Sequence, residues 1–452
     1  MTDVVLVYPY VDPRRGSSIF RFPPLGLSYI AAYLRERGVS VSIVDATFIG
    51  EEAAVARVRT LKPRVLGVYS MFTMREASLG FAKALRRNCD MTVAGGPLPS
   101  VEPETFLGDF DVAVVGEGEE TMLELAQGKA LRDINGIVYR EKDGVPLRVG
   151  EPGGTNIHTR PRGTIKNLDS LPLPARDLLD NDGYLSYYRR RRRPPTTSVI
   201  TSRGCPFRCD FCSHPVFGET FRERSPRNIA DEVEQVLSFG YERVFFQDDC
   251  FTLTGGRVAG FCDEVEQRGL HFGWECLSRV DNFDLATAER MKSAGCDGVF
   301  FGLESGSDRV LGIMNKSATA EQGRRAVEAA HSAGLRTGAF FIFGYPGEDD
   351  DSMLETVRYS SRLPLDYVSF TFPYPIPGTG LHDRVKNELY QGRPEPKQKG
   401  LIQHQLIYYS EVPELKLKFG IANAMAQHHL RRRVGSLAVP FEAAANLVFR
   451  AL

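Results

Sequence analysis

Three of the eight cysteines in this 452-residue chain fall within one short segment. It reads Thr201-Ser202-Arg203-Gly204-Cys205-Pro206-Phe207-Arg208-Cys209-Asp210-Phe211-Cys212. The spacing Cys-x3-Cys-x2-Cys directly follows a β pattern, so the segment is expected as a loop at a strand end. Such a loop can wrap three thiolates around one metal cluster. Iron–sulfur clusters are held by thiolates, normally four, so three leave one iron open to a substrate or cofactor. Structural zinc is the competing reading, but it takes four ligands. No nearby Cys or His completes an evident set, and His214 would need the loop to fold back on itself. Cys89, Cys250, Cys262, Cys276 and Cys296 are scattered at separations that suit no compact cluster loop, and they are read as buried single thiols.

The segments around this loop alternate between two periodicities. Val4 to Tyr8, Ser40 to Asp45, Val65 to Tyr69, Met91 to Ala94 and Asp111 to Val115 read as strands. Leu27 to Arg37, Glu51 to Leu61 and a stretch ending near Arg87 read as helices between them. This alternation predicts a parallel sheet covered by helices, a Rossmann-like domain that binds at the carboxyl ends of its strands. Ile134 to Val149 reads as a hairpin turning at Lys142-Asp143-Gly144. Residues 151–195 are rich in Pro, Gly, Arg and Asp and are expected to be a linker that wraps rather than packs. The five arginines Arg189 to Arg193 within it read as a solvated stretch.

A second alternation follows. Strands are expected at Ser198–Thr201, Arg243–Gln247, His271–Cys276, Gly298–Leu303, Arg336–Phe341 and Asp366–Phe372, with helices between them. Six strand–helix units are too few for a closed eight-fold barrel, so an open, partial one is expected, with its chemistry at the carboxyl ends of the strands. The expected division is 1–150 for the Rossmann-like domain, 151–195 for the linker, 196–380 for the partial barrel and 381–452 for a helical C-terminal region.

Composition excludes several classes. Hydrophobic residues are 42% and charged residues 25%, ordinary for a soluble globular protein. Lys+Arg number 56 against 57 Asp+Glu, a net charge of −1, which disfavours a nucleic-acid partner. No apolar run is long enough to span a membrane, and the N-terminus lacks the pattern of a signal peptide. The expected compartment is the cytoplasm.

The cysteine loop after a first barrel strand resembles the signature of the radical S-adenosylmethionine (SAM) enzymes. Gln247-Asp248-Asp249, Phe301-Gly302-Leu303-Glu304-Ser305-Gly306-Ser307 and Phe343-Gly344-Tyr345-Pro346-Gly347-Glu348 resemble segments that end later strands of that fold. The resemblance implies that Cys205, Cys209 and Cys212 hold a 4Fe–4S cluster whose open iron chelates SAM. One electron then cleaves SAM to methionine and a 5′-deoxyadenosyl radical. Phe211 resembles the position that meets the adenine, and Arg279, Glu304 and Ser305 are expected at the polar parts of SAM. Asp248 and Asp249 are expected at the same mouth, where with Glu304 they bind a polar substrate or move its protons; one of the two aspartates is expected to face the core instead. Tyr374 is expected to close the mouth or to brace a rigid loop. A reductase or a flavodoxin or ferredoxin is the implied electron donor.

Phe22-Pro23-Pro24-Leu25-Gly26-Leu27, Gly95-Gly96-Pro97-Leu98-Pro99-Ser100 and Val115-Gly116-Glu117-Gly118-Glu119-Glu120-Thr121 resemble the cobalamin-binding domain that precedes the barrel in one radical SAM subgroup. The Asp-x-His-x-x-Gly motif of many cobalamin proteins is absent, yet members of this subgroup often lack it and still bind cobalamin, so the sequence leaves cobalamin open. The family includes cobalamin-dependent methylases, and the chain is also similar to a radical diol dehydratase that acts on the aminoglycoside paromamine. The leading expectation is therefore hydrogen abstraction followed by loss of water on a small polar natural product such as an aminosugar, in antibiotic biosynthesis. Methyl transfer from methylcobalamin is the alternative, and a non-catalytic metal-binding module is the third reading.

Overall fold

The computed structural model describes residues 2–10, 21–212, 218, 220–390 and 406–452. His214 therefore lies outside the described residues. The chain divides into two compact units near residue 200, with residues 215–224 and 231–242 belonging to the first.

In the first unit, short runs of β-branched residues form β1 (Val4–Tyr8), β2 (Val41–Asp45), β3 (Val65–Tyr69), β4 (Met91–Gly95) and β5 (Val112–Val114). They pair in parallel in the order β2-β1-β3-β4-β5. Three antiparallel additions follow: β6 (Ile137–Lys142), β7 (Val145–Pro146) and β8 (Thr155–His158). Successive side chains of a strand point to opposite faces, and both faces here are buried. Val4, Leu6, Ile43, Val65 and Val93 pack on one side with Leu27, Leu34 and Met122. Val5, Val7, Val44, Leu66 and Val68 pack on the other with Val58, Phe81 and Leu85. This explains why the strands read as continuous apolar runs rather than alternating ones.

Residues 151–195 do not wrap without packing. They supply β8 and the helix Asn181–Arg190, in which Tyr184, Leu185, Tyr187 and Tyr188 are buried. Those four positions share one helical face, a spacing hidden by the surrounding Pro, Gly and Arg. Arg176 is also buried, donating to Thr197 Oγ1 at 3.2 Å and the Ser198 carbonyl at 2.8 Å and pairing with Glu232. Glu232 has a second guanidinium partner in Arg224 and accepts from the Tyr29 hydroxyl at 2.8 Å. These partners hold its carboxyl below the ordinary range despite complete burial.

The second sheet contains β9 (Thr196–Val199), β12 (Arg243–Phe246), β13 (Gly273–Ser278), β14 (Cys296–Glu304), β15 (Arg336–Ile342) and β16 (Tyr367–Thr371). The short strands β10 (Ser202–Arg203) and β11 (Arg222–Glu223) fall between β9 and β12 in the chain. The sheet order is β16-β15-β14-β13-β12-β9, with parallel pairing from β12 to β16. The sheet is open, with β9 and β16 at its edges, as six units predict. Helices such as Gly255–Gln267, Ala320–Ser332 and Asp350–Arg362 connect its strands. The fully buried Trp274 packs against Phe246, Phe251 and Phe261. Beyond β16 the chain is helical: Gly380–Val385, Glu414–Val434 and Val439–Ala451.

Candidate active site

The cysteine loop leaves the sheet at Thr201 and is tethered along its length. Asp248, just past β12, accepts the backbone N–H groups of Thr201 and Ser202 at 2.6 and 2.9 Å. Its second oxygen accepts the Thr201 hydroxyl, and Arg257 lies 3.8 Å away. Gly204 then adopts a φ of 79°, which turns the chain toward Cys205 at little steric cost. Further along, the Asp210 N–H donates to the Met314 carbonyl at 2.9 Å, and the Asp210 carbonyl accepts from Leu381 at 2.9 Å. Asn315 donates to the Arg208 carbonyl at 2.6 Å, and Arg384 pairs with the Asp210 carboxylate at 2.7 Å.

The expected site residues separate into two groups. Asp248 is 1% exposed and both its oxygens are engaged by the loop, so it shapes the site rather than facing a substrate. Asp249 is exposed. Ser305 is fully buried; its hydroxyl lies 3.0 Å from Thr356 Oγ1 and accepts the Ser307 N–H at 3.2 Å. Glu304 ends β14 with a φ of 64° and pairs with Lys316 at 3.0 Å. Lys316 also lies 5.9 Å from the centre of the Phe211 ring, which packs edge-to-face with Tyr345 at 6.4 Å between ring centres. Arg279 stacks on Phe207 at 3.6 Å and directs one N–H toward Cys209 Sγ at 3.7 Å. Tyr374 is half-buried. Thus Cys209, Phe211, Arg279 and Glu304 converge through Lys316, a residue that sequence reasoning missed. The signal that could have found it is chemical: a carboxylate buried at a strand end needs a cation.

The donor set suits an iron–sulfur cluster. Cys205, Cys209 and Cys212 are free thiols, partly exposed, on a loop of fixed shape. Burial pushes the Cys205 and Cys212 thiols up, Cys212 to about 12. Among the described residues no three His, Cys, Asp or Glu side chains close around a single ion.

The first unit has a second feature of interest. Its strand order reverses between β1 and β3, the point where such sheets place ligands. At the end of β3, Ser70 is fully buried and its hydroxyl has no partner among the described residues. Gly96 faces it with a φ of 111°, and a Cβ there would lie 2.6 Å from the Ser70 carbonyl. Tyr8 and Tyr69 pack 5.5 Å apart at the same strand ends. An orphaned buried hydroxyl beside a backbone too close for a side chain fits a flat polar ligand such as a corrin.

Residues 199–360 match the radical SAM superfamily and residues 14–126 match the B12 binding domain. The chain is 34% identical over 379 residues to an uncharacterized methyltransferase of Pyrococcus horikoshii, covering 79% of this chain and 77% of that protein. It is 28% identical to the anaerobic magnesium-protoporphyrin IX monomethyl ester cyclase of Rubrivivax gelatinosus, covering 85% and 70%. In fold it is similar to the radical SAM methyltransferase TsrM of Kitasatospora setae, solved with cobalamin and a 4Fe–4S cluster bound. That match has a TM-score of 0.69 at 21% identity and covers 86% of this chain and 75% of that one. The chain belongs to the radical SAM superfamily, whose cofactors are a 4Fe–4S cluster and SAM, among the members that carry a B12 binding domain ahead of the radical SAM domain.

Proposed function

We propose that this enzyme is a cobalamin-dependent radical SAM methyltransferase acting on a small polar molecule. The observation that carries cobalamin binding is the buried Ser70 hydroxyl, without a partner among the described residues, beside Gly96 at the switch point of the first sheet. Methyl transfer is supported by the relatives, among which methyltransferases recur. This replaces the loss of water from an aminosugar expected from sequence, which no relative named among them supports.

When bound, the cluster supplies one electron to SAM, and cobalamin supplies a methyl group. The chain's own residues bind and orient. Cys205, Cys209 and Cys212 are the thiolates that would hold the cluster. The Glu304 carboxylate and Lys316 ammonium, 3.0 Å apart, present opposite charges suited to the amino and carboxylate groups of SAM. Arg279 Nε is a buried donor with no hydrogen-bond partner among the described residues and suits a ligand oxygen. Phe211, half-buried on the cysteine loop, offers aromatic surface to the adenine. Asp249, exposed at a strand end, is the carboxylate suited to a polar substrate. A reductase, flavodoxin or ferredoxin in the cytoplasm supplies the electron.

The test is the visible spectrum of anaerobically reconstituted protein after incubation with cobalamin and desalting. Retained corrin bands, weakened by Gly96→Val, are expected. A product heavier by one methylene and dependent on cobalamin supports methyl transfer; a product lighter by one water overturns it.

A further inference from the structure

We infer that Arg279 sets the reduction potential of the cluster through its hydrogen bond to Cys209, with Asp281 opposing it. The inference rests on the reading of Cys209 as a cluster ligand.

Arg279 is 6% exposed, and its guanidinium is held by partners at both terminal nitrogens and on one face. Nη2 donates to Asp281 Oδ2 and to the Lys316 carbonyl, both at 2.7 Å, and the planar group stacks on Phe207 at 3.6 Å. These contacts come from the cysteine loop, the segment after β13 and the turn after the helix Asp308–Ile313, so the plane of the fork is fixed. Nη1 then has one direction, toward Cys209 Sγ at 3.7 Å. A neutral thiol is a weak acceptor, whereas a metal-bound thiolate carries the negative charge that a guanidinium N–H seeks.

Reduction adds one electron, delivered by a reduced flavin or iron–sulfur protein, and no bond forms or breaks. The added charge spreads over the irons and their thiolates. A donor aimed at one thiolate stabilises the reduced cluster more than the oxidised one, which raises its potential. Burial keeps the effect from being screened. Asp281 works the other way. Its carboxylate, 2.7 Å from the guanidinium, places a compensating negative charge near the cluster. Arg279 and Asp281 therefore move the potential in opposite directions.

The experiment is an EPR-monitored redox titration of the anaerobically reconstituted full chain without SAM, alongside iron analysis. Arg279→Gln with full iron is expected to lower the reduced-to-oxidised ratio at fixed solution potential at least tenfold, equivalent to ~59 mV for one electron. Asp281→Asn is expected to raise that ratio. A general loosening of the site would not give opposite signs. Unchanged potentials, or shifts of the same sign, overturn the inference. If Arg279→Gln fails to hold iron, the Asp281→Asn potential alone decides: a rise supports the inference and anything else overturns it. Failure of the underlying reading looks different, because Cys209→Ala would then keep its full iron.

Discussion

The Asp248 carboxylate accepts the Thr201 N–H at 2.6 Å, so a side chain past one strand fixes the chain where it leaves the neighbouring one for the cysteine loop. Asp248→Ala removes three acceptor contacts and leaves the buried Arg257 without a carboxylate that lies 3.8 Å away. Breaking a buried pair from one side costs about 3–5 kcal/mol. The expected result is a lower denaturation midpoint together with reduced iron per chain. Asp248→Asn keeps one carbonyl acceptor and is expected to retain more iron.

Cluster ligation separates the cysteines cleanly. The wild-type chain is expected to bind about four irons and four sulfides. Cys205→Ala, Cys209→Ala and Cys212→Ala should each lose the cluster and SAM cleavage. Cys250→Ala, Cys262→Ala, Cys276→Ala and Cys296→Ala remove buried thiols and should leave the iron content unchanged. Iron and sulfide analysis of the eight proteins checks both halves.

Gly302 makes room for the Glu304–Lys316 pair. A Cβ at this position would lie 2.5 Å from Glu304 Oε1 and 3.0 Å from Lys316 Nζ. Gly302→Ala should drive the two charges apart while leaving the cysteine loop in place. Full iron content with SAM affinity weakened about tenfold, or ~1.4 kcal/mol, is the expected outcome by equilibrium binding.

Glu348 gives a pH dependence with a defined sign. It is buried after β15 and accepts the N–H groups of Gly344 and Tyr345 at 2.6 and 2.9 Å, and its other oxygen has no partner among the described residues. Burial raises its pKa from 4.5 to about 7. Its stabilising contribution is therefore complete below about 4.5 and is lost as pH rises through about 7. The loss amounts to about 3 kcal/mol. Glu348→Gln cannot ionise and should flatten that part of the stability–pH curve. Chemical denaturation between pH 5 and pH 8 measures it.

Much of this molecule was legible from residue pattern. The strands of the first sheet stood out because Val4–Tyr8 and Val65–Tyr69 are buried on both faces. The cysteine spacing located the loop because thiolate chemistry tolerates few arrangements. What escaped was information carried by contacts between distant segments. The arginine and proline content around residues 151–195 hid the tyrosine face of Asn181–Arg190. The pair Asp248-Asp249 gave no sign of which carboxylate turns inward, since that depends on Thr201 and Arg257. Lys316 followed β14 in an unremarkable loop, and its meaning came only from Glu304, Arg279 and Phe211.

The tethering of Asp210 between Met314 and Leu381 bears on how the metal arrives. The ligands sit early in the second unit, but two of the hydrogen bonds that shape their loop come from segments synthesised much later. A ribosome-bound chain therefore exposes all three cysteines before the frame that spaces them exists. The frame that spaces the three cysteines is complete only when the chain as far as Leu381 has folded onto Asp210.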